Sequence, residues 1–211
     1  MSGRVGVKAL GQGCEAVMEL EDGETYTGVV FDGLNLAERT LDGAEFEDVV
    51  FTGCRFERAV LRGCQFSSCR FVDCDLSGAR LTGSTLNGVR FERCRVLGVD
   101  FAALLQIMLS VSFQACLLDY CGFSRMGLAR TQFADCRLHD ADFSNAKLDR
   151  AVFAGSDLHG ANFNHASLGR TDLRGAANVS FDAKLVRLEK TKIDLETLLA
   201  VGTRLGLDVD V

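Results

Sequence analysis

Apolar residues recur at every fifth position through most of this chain, and this periodicity constrains the fold more than any other feature. The series runs without a polar member from Phe31 to Phe101 and, after a shift of two residues, from Phe113 to Leu173. A helix repeats every 3.6 residues and a strand every 2, so a period of five fits neither. It fits a coil that turns through about a quarter of a circle every five residues and closes after twenty. The pattern therefore predicts an all-β solenoid with a square cross-section.

Residues of the same kind recur twenty positions apart, which indicates that successive coils stack in register. Two residues before each apolar centre stands a small or apolar residue, and glycine often follows two residues after it, where a turn needs a positive φ. One aromatic column comprises Phe31, Phe51, Phe71, Phe91, Phe113, Phe133 and Phe153. The predicted core is thus a stack of Phe and Leu with small residues in the corners.

The nine cysteines follow the same repeat and do not form a metal-binding or disulfide pattern. No two are spaced as C-x-x-C, and a buried cysteine packs as a small hydrophobic residue. A reducing cytoplasm suits such thiols, and neither an apolar signal segment nor a membrane-spanning stretch is recognisable. All but Cys14 occupy the small inward position: Cys54, Cys64, Cys69, Cys74, Cys94, Cys116, Cys121 and Cys136.

The repeat divides the chain into five segments. We expect an N-terminal cap in 1–28, a first rod in 29–101, an interruption in 102–110, a second rod in 111–175, and a C-terminal connection, helix and dimerisation segment in 176–211. The interruption is apolar and contains no turn residues. Two interpretations stay open: a bulge or helical turn that kinks the rod, or an exposed apolar contact for a partner.

The C-terminal segment has the signals of a short helix. Asp194 is a suitable N-cap, Leu195, Leu198 and Leu199 form an apolar stripe, and Gly206 is a suitable end. Such a stripe either covers the last coil or packs against a second subunit.

Catalytic motifs are missing from the sequence. It contains no G-x-S-x-G, P-loop or H-E-x-x-H pattern. His139 and His159 are twenty residues apart and should stack on a flat outer face, where no further ligands converge on a metal. We therefore expect no enzyme, no cofactor and no metal site.

Charge is the remaining functional signal. The chain carries a net charge of −6, and its basic residues are diluted among acidic ones, which argues against direct nucleic-acid binding. In the second rod the walls of the Phe113 and Leu118 columns should be acidic, and the walls of the Phe123 and Leu128 columns should be basic. The acidic wall is the candidate partner-binding surface: Asp119, Asp135, Asp140, Asp157 and Asp172.

The repeats "CDLSGARLTG" and "ADFSNAKLDR" resemble the pentapeptide-repeat family, whose pattern is A(D/N)LxX. The resemblance covers about two-thirds of the chain and implies a right-handed quadrilateral β-helix.

One branch of that family has two rods joined at an interruption, and "CRVLGVDF", "SFQACLLDYCGF" and the ending "LLAVGTRLGLDVDV" are similar to it. The branch includes quinolone-resistance (Qnr-type) proteins, which are rod-shaped mimics of duplex DNA. The resemblance implies binding to DNA gyrase or topoisomerase IV and protection from a topoisomerase poison, with the acidic wall facing the enzyme. It also implies an end-to-end homodimer, for which the candidate residues are Leu195, Leu198, Leu199, Leu207 and Val209. The alternative is a scaffolding pentapeptide-repeat protein that contacts another cytosolic protein and need not dimerise in this way.

Overall fold

A computed structural model describes residues 20–204, which coil into a right-handed quadrilateral β-helix followed by one α-helix. Residues 1–19, which include Cys14 and most of the expected N-terminal cap, lie outside the described part. So do residues 205–211, with Gly206, Leu207 and Val209.

Each strand is three or four residues long. The three-residue strands after β1 bury their middle residue, and in β1 the middle residue, Tyr26, is partly buried. A period of five leaves three residues for a flat side and two for a corner, so longer strands do not fit. The strands are β1 (Thr25–Thr27), β2 (Val30–Asp32), β3 (Thr40–Asp42), β4 (Glu45–Glu47), β5 (Val50–Thr52), β6 (Val60–Arg62), β7 (Gln65–Ser67), β8 (Arg70–Val72), β9 (Thr85–Asn87), β10 (Val89–Glu92), β11 (Val111–Gln114) and β12 (Gln132–Ala134).

Four faces enclose the core, and we name each after its first central residue: the Tyr26, Phe31, Leu36 and Leu41 faces. Each coil contributes one short segment, here called a rung, to every face. Parallel sheets form the Tyr26 face (β1-β4-β7-β9), the Phe31 face (β2-β5-β8-β10-β11-β12) and part of the Leu41 face (β3-β6). Single parallel bridges continue from Asn35 to Ala177 along the Leu36 face.

The central residues stack in register through the interior. Phe133 and Phe153 lie one coil apart with ring centroids at 4.9 Å and planes at 4°. Phe133 meets Phe143 of another face edge-on, at 5.6 Å and 85°. Both arrangements are favourable for aromatic pairs. The five-residue period therefore sets both the stacking along the rod and the packing across it.

The two-residue shift in the repeat leaves the Phe31 face continuous. Strands β10 and β11 pair in register, with Phe91 opposite Phe113. The extra residues are accommodated on the Tyr26 face, where Leu105 N–H donates to the carbonyl of Ser84 and Ser110 N–H donates to that of Leu86. A short 3₁₀ helix, Phe101–Ala103, precedes this loop.

Gln106 supplies a hydrogen-bond acceptor that the loop removes from the Tyr26 face. Its Oε1 accepts the Gly127 N–H at 3.0 Å, a donor that lies on the next coil. A side-chain amide thus satisfies a backbone group that a regular coil would bond to a carbonyl.

Helix α1 (Leu195–Arg204) closes the described part of the chain. Asp194 Oδ1 accepts the Thr197 N–H at 2.9 Å, which confirms the predicted N-cap. The other Asp194 oxygen accepts the Gly175 N–H at 3.0 Å and so joins the helix start to the last repeats. Thr197 and Val201 are buried, and Val201 belongs to the core.

The eight described cysteines are buried free thiols. Burial raises the pKa of Cys64 to about 11 and that of Cys121 to about 12. Many thiols donate to backbone carbonyls, as Cys94 does to Phe71 at 3.2 Å. These side chains are packing elements of the corners.

Removal of one central ring should destabilise the rod strongly. Phe133 is fully buried, so Phe133→Ala should lower the free energy of unfolding by about 3–5 kcal/mol. Urea denaturation followed by circular dichroism measures the change. The exposed neighbour Gln132 provides the control, because Gln132→Ala should shift stability by no more than about 0.5 kcal/mol. Equal losses in the two variants would contradict the stacked core.

The buried thiols should be unreactive while the rod is folded. Because burial keeps these thiols out of reach of the reagent, the eight described cysteines should not react with Ellman's reagent at about pH 8. All nine cysteines of the chain should react after denaturation in guanidinium chloride. Rapid native reaction of more than one thiol would show that the corners open.

Candidate partner-binding surfaces

The outer surface carries the residues that can contact a partner, because the interior is filled by the central side chains. On each rung the residues beside the buried centre point outward, as the exposed–buried–exposed pattern of Glu45–Glu47 shows. Charged residues at these positions stand at regular heights along the rod.

Asp119 of the predicted acidic wall does not face solvent. It is only 6% exposed. Arg137 Nε lies 2.8 Å from its Oδ2, and the His139 N–H donates to its Oδ1 at 3.2 Å. Its charge is therefore satisfied within the rod, and we leave it out of the candidate surface.

Asp172 is also held by neighbouring cations. It forms ion pairs with Arg174 at 2.7 Å and Lys192 at 3.4 Å. The hydrogen bond from Arg174, with help from Lys192, holds the pKa of Asp172 far below its usual value despite partial burial. A partner would compete with two cations for this carboxylate.

Asp157 lies on the Leu36 face and remains partly accessible. Burial opposes its ionisation, but hydrogen bonds from Asn178 at 2.8 Å and His139 at 2.8 Å hold its pKa below the usual value. The side chain is 36% exposed. Asp157 is thus a fixed, ionised group that a partner can reach.

Asp135 and Asp140 are the most accessible members of the wall. Both are exposed at corners, each with a φ of 53°, on the two edges of the Leu36 face. Asp135 accepts a hydrogen bond from Gln114 Nε2 at 2.8 Å and forms no ion pair within residues 20–204. The structure thus brings Asp135, Asp140 and Asp157 together around one face, which we call the acidic Leu36 surface.

A second acidic group lies in the first rod, on the Tyr26 face, which is the face opposite the Leu36 face. Glu45, Glu47 and Asp48 are exposed on and beside β4 of the Tyr26 face. None forms an ion pair with another described residue. The sequence signals this group through the composition of residues 1–60, which hold 5 basic and 12 acidic residues.

The loop of the Tyr26 face exposes apolar side chains. Leu105, Ile107 and Met108 are 50%, 65% and 74% exposed. The 102–110 segment thus combines a local bulge with an apolar surface, so features of both interpretations are present.

The C-terminal helix presents part of its predicted apolar stripe to solvent. Leu195 and Leu198 are 62% and 52% exposed, and Leu199 is partly buried. Thr197 and Val201 make the helix contacts with the protein interior, so the exposed leucines face outward. Leu207 and Val209 lie outside the described residues.

The histidine pair has no arrangement of metal ligands around it. The rings of His139 and His159 meet edge-on at 5.6 Å. Within residues 20–204, no three His, Cys, Asp or Glu side chains are grouped to hold a metal ion. The same range contains no helix with the length and apolar character to cross a membrane.

Three solved structures, two of QnrB1 and one of HetL, share this fold. One trypsin-treated variant of QnrB1, described as a plasmid-mediated fluoroquinolone resistance protein, is 23% identical with a TM-score of 0.60, over 90% of this chain and 99% of that one. A second such variant is 25% identical with a TM-score of 0.53, over 90% and 100%. HetL, a pentapeptide repeat protein involved in heterocyst differentiation regulation from the cyanobacterium Nostoc sp. strain PCC 7120, is 20% identical with a TM-score of 0.50, over 82% and 88%.

Curated proteins give no significant sequence match. Family models do match: a pentapeptide repeat region over residues 25–101 and 44–123, and eight copies of the pentapeptide repeat over residues 136–175. Together these matches cover most of the rod, and the chain therefore belongs to the pentapeptide-repeat family.

Proposed function

We propose that this protein binds a type II topoisomerase, DNA gyrase or topoisomerase IV, as a mimic of duplex DNA and protects it from a topoisomerase poison. The observation that carries the proposal is a rigid rod that holds accessible carboxylates at fixed heights, as Asp135, Asp140 and Asp157 are held around the Leu36 face. The likeness to QnrB1, described as a plasmid-mediated fluoroquinolone resistance protein, supports the choice of target.

The electrostatic argument is simple. A surface that binds DNA is strongly basic because it must neutralise phosphates. A rod with ionised carboxylates can occupy that surface through charge complementarity without presenting bases. Because Asp157 is fixed by hydrogen bonds, its charge needs little rearrangement on binding. The protein then acts by binding in the cytoplasm and needs no catalytic residue or cofactor.

A scaffolding protein that contacts another cytosolic protein is the second candidate function. The exposed apolar loop around Ile107 favours it, since an accessible apolar group is typical of protein-binding surfaces. A supercoiling and cleavage assay with purified gyrase, with and without a fluoroquinolone, separates the candidates. Reduced poison-stabilised cleavage with persisting supercoiling supports protection. Inhibition of supercoiling alone indicates a DNA mimic without protection, and no effect from a folded protein favours the scaffold.

Charge reversal on the acidic Leu36 surface should weaken protection. Asp135→Lys with Asp140→Lys should raise the protein concentration needed for half-maximal protection at least about tenfold, which corresponds to a loss of about 1.4 kcal/mol in binding. Both positions are exposed corners with a positive φ, a conformation that Arg130 and Arg150 already adopt in this rod. The fold should therefore survive, and circular dichroism checks it.

Glu21→Lys with Asp32→Lys is the matched control for that experiment. It changes the net charge by the same amount at exposed positions outside the Leu36 face. Protection by this control should stay within about twofold of the unaltered protein. Equal effects of the two double variants would show that only net charge matters and would contradict the assigned surface.

The outward leucines of α1 should mediate the proposed end-to-end homodimer. Leu195→Glu with Leu198→Glu places charges on the exposed stripe and leaves buried Thr197 and Val201 in place. We expect this variant to lose the end-to-end dimer in sedimentation velocity, since buried unpaired charges oppose association. Glu196→Ala, on the same helix, should leave the dimer intact. An unchanged dimer in the double variant would exclude this interface.

A further inference from the structure

The Tyr26 face changes its chemistry along the rod, and its first part is acidic. Glu45 and Glu47 flank Phe46 on β4, and Asp48 follows at the corner shared with the Phe31 face. All three side chains are exposed. No cation of residues 20–204 pairs with them.

The last part of the same face is basic. Its corner with the Phe31 face carries one exposed cation per coil, without an ion pair to any other described residue. Lys147 and Arg187 add positive charge on the face itself, while Asp149 and Glu189 offset part of it. The corner column is Arg130, Arg150, Arg170 and Lys190.

The apolar loop lies between these two parts. Along the Tyr26 face, the loop occupies the position between the Leu86 rung and the Leu128 rung. Its exposed side chains are Leu105, Ile107 and Met108. Four rungs precede the loop and four follow it, with centres at Tyr26, Phe46, Phe66, Leu86, Leu128, Leu148, Leu168 and Leu188.

We propose that the Tyr26 face pairs with the same face of a second copy of this chain, with the two rods antiparallel. The two-fold axis lies between the faces, perpendicular to the rods, and passes through the loop. A contact of this kind is isologous, so each patch must be complementary to its own symmetry mate.

The positions match under this symmetry. The Phe46 rung of one copy meets the Leu168 rung of the other, which places Asp48 opposite Arg170 at the same corner. The Phe66 rung, with neutral Ser68 at its corner, meets the rung of Arg150. The loop of one copy meets the loop of the other, and the two Ile107 side chains can shield each other from water.

The acidic part, the apolar loop and the basic part follow one another along the Tyr26 face. This order favours a second copy of the chain over a partner whose surface carries charges of only one sign. A DNA backbone would be attracted to the Arg150–Arg170 corner but repelled by Glu45, Glu47 and Asp48. An acidic protein would meet the same conflict. Only a surface with the opposite order of charges satisfies both ends, and the antiparallel copy has that order.

The size of the face indicates a reversible dimer. Eight rung spacings of ~4.8 Å give a length of about 38 Å, and a three-residue strand gives a width of about 10 Å. The area is smaller than the roughly 800 Å² per partner of a typical stable complex. Association should therefore be weak, and it should weaken further with salt because exposed charges are screened.

A charge-swap experiment tests the pairing. All proteins carry Leu195→Glu and Leu198→Glu, which removes the proposed end-to-end contact. Variant one adds Glu45→Lys, Glu47→Lys and Asp48→Lys, and variant two adds Arg150→Glu, Arg170→Glu and Lys190→Glu. Each variant alone should associate at least about tenfold more weakly than the parent in sedimentation equilibrium at low salt, because like charges then face each other.

An equimolar mixture of the two variants should restore the dimer, since a predominantly basic face then meets a predominantly acidic one. A chain with both sets reversed should also dimerise like the parent. Circular dichroism confirms that each variant is folded. A monomeric parent, or a mixture that stays monomeric, would overturn the proposal.

A crosslink through the loop gives a second readout. With Cys14 replaced by Ser, Ile107→Cys should form a disulfide-linked dimer on mild oxidation, because the axis brings the two copies of residue 107 together. The eight buried cysteines do not compete. Asn164→Cys, exposed on the Leu41 face, is the control and should stay monomeric. Equal crosslinking of the two would contradict the axis. The pairing leaves the Leu36 face free, so it can fail without affecting topoisomerase protection.

Discussion

Everything in this rod depends on the stacking of central side chains at a spacing of one coil. A face of three residues has no stability of its own, because it contributes one buried side chain per rung. The stacked rings, such as Phe123 on Phe143 at 5.0 Å, hold successive rungs at the distance that their parallel hydrogen bonds need. Since the interior does this alone, the outward residues are free to carry charge. Function in such a protein is therefore a property of the surface pattern.

The fold could be predicted from the sequence because its signal is repeated many times. Period five gives the inward positions, period twenty gives the stacking, and Asp194 gives the start of the helix, each through local chemistry that the structure bears out. The surface was harder to predict. Asp119 belongs to the acidic side by its position, yet Arg137 and the His139 amide enclose it. Such neutralisation joins residues on neighbouring coils and depends on side-chain conformation, which a count of charges does not contain.

The interruption shows the same limit. A shift of two residues reveals that a coil is longer, but not which face takes up the extra length. In the structure the Phe31 face keeps its register, and the extra residues form a loop on the Tyr26 face. Gln106 makes this possible, because its side chain reaches the Gly127 amide that the loop would otherwise leave without an acceptor. The core continues past the loop, and the displaced chain becomes an exposed apolar feature.

Net charge is a poor guide to what this rod can bind. A value of −6 describes the whole chain, but a partner meets one face at a time. Around the Leu36 face, Asp135, Asp140 and Asp157 present a mostly negative surface, whereas the Tyr26 face runs from acidic to basic. The two faces lie on opposite sides of the square. A rod that pairs through its Tyr26 face leaves its acidic Leu36 face exposed. Self-association and imitation of DNA are therefore compatible within one small protein. The solenoid permits this division because each column of outward residues can change its charge without disturbing the core beneath it.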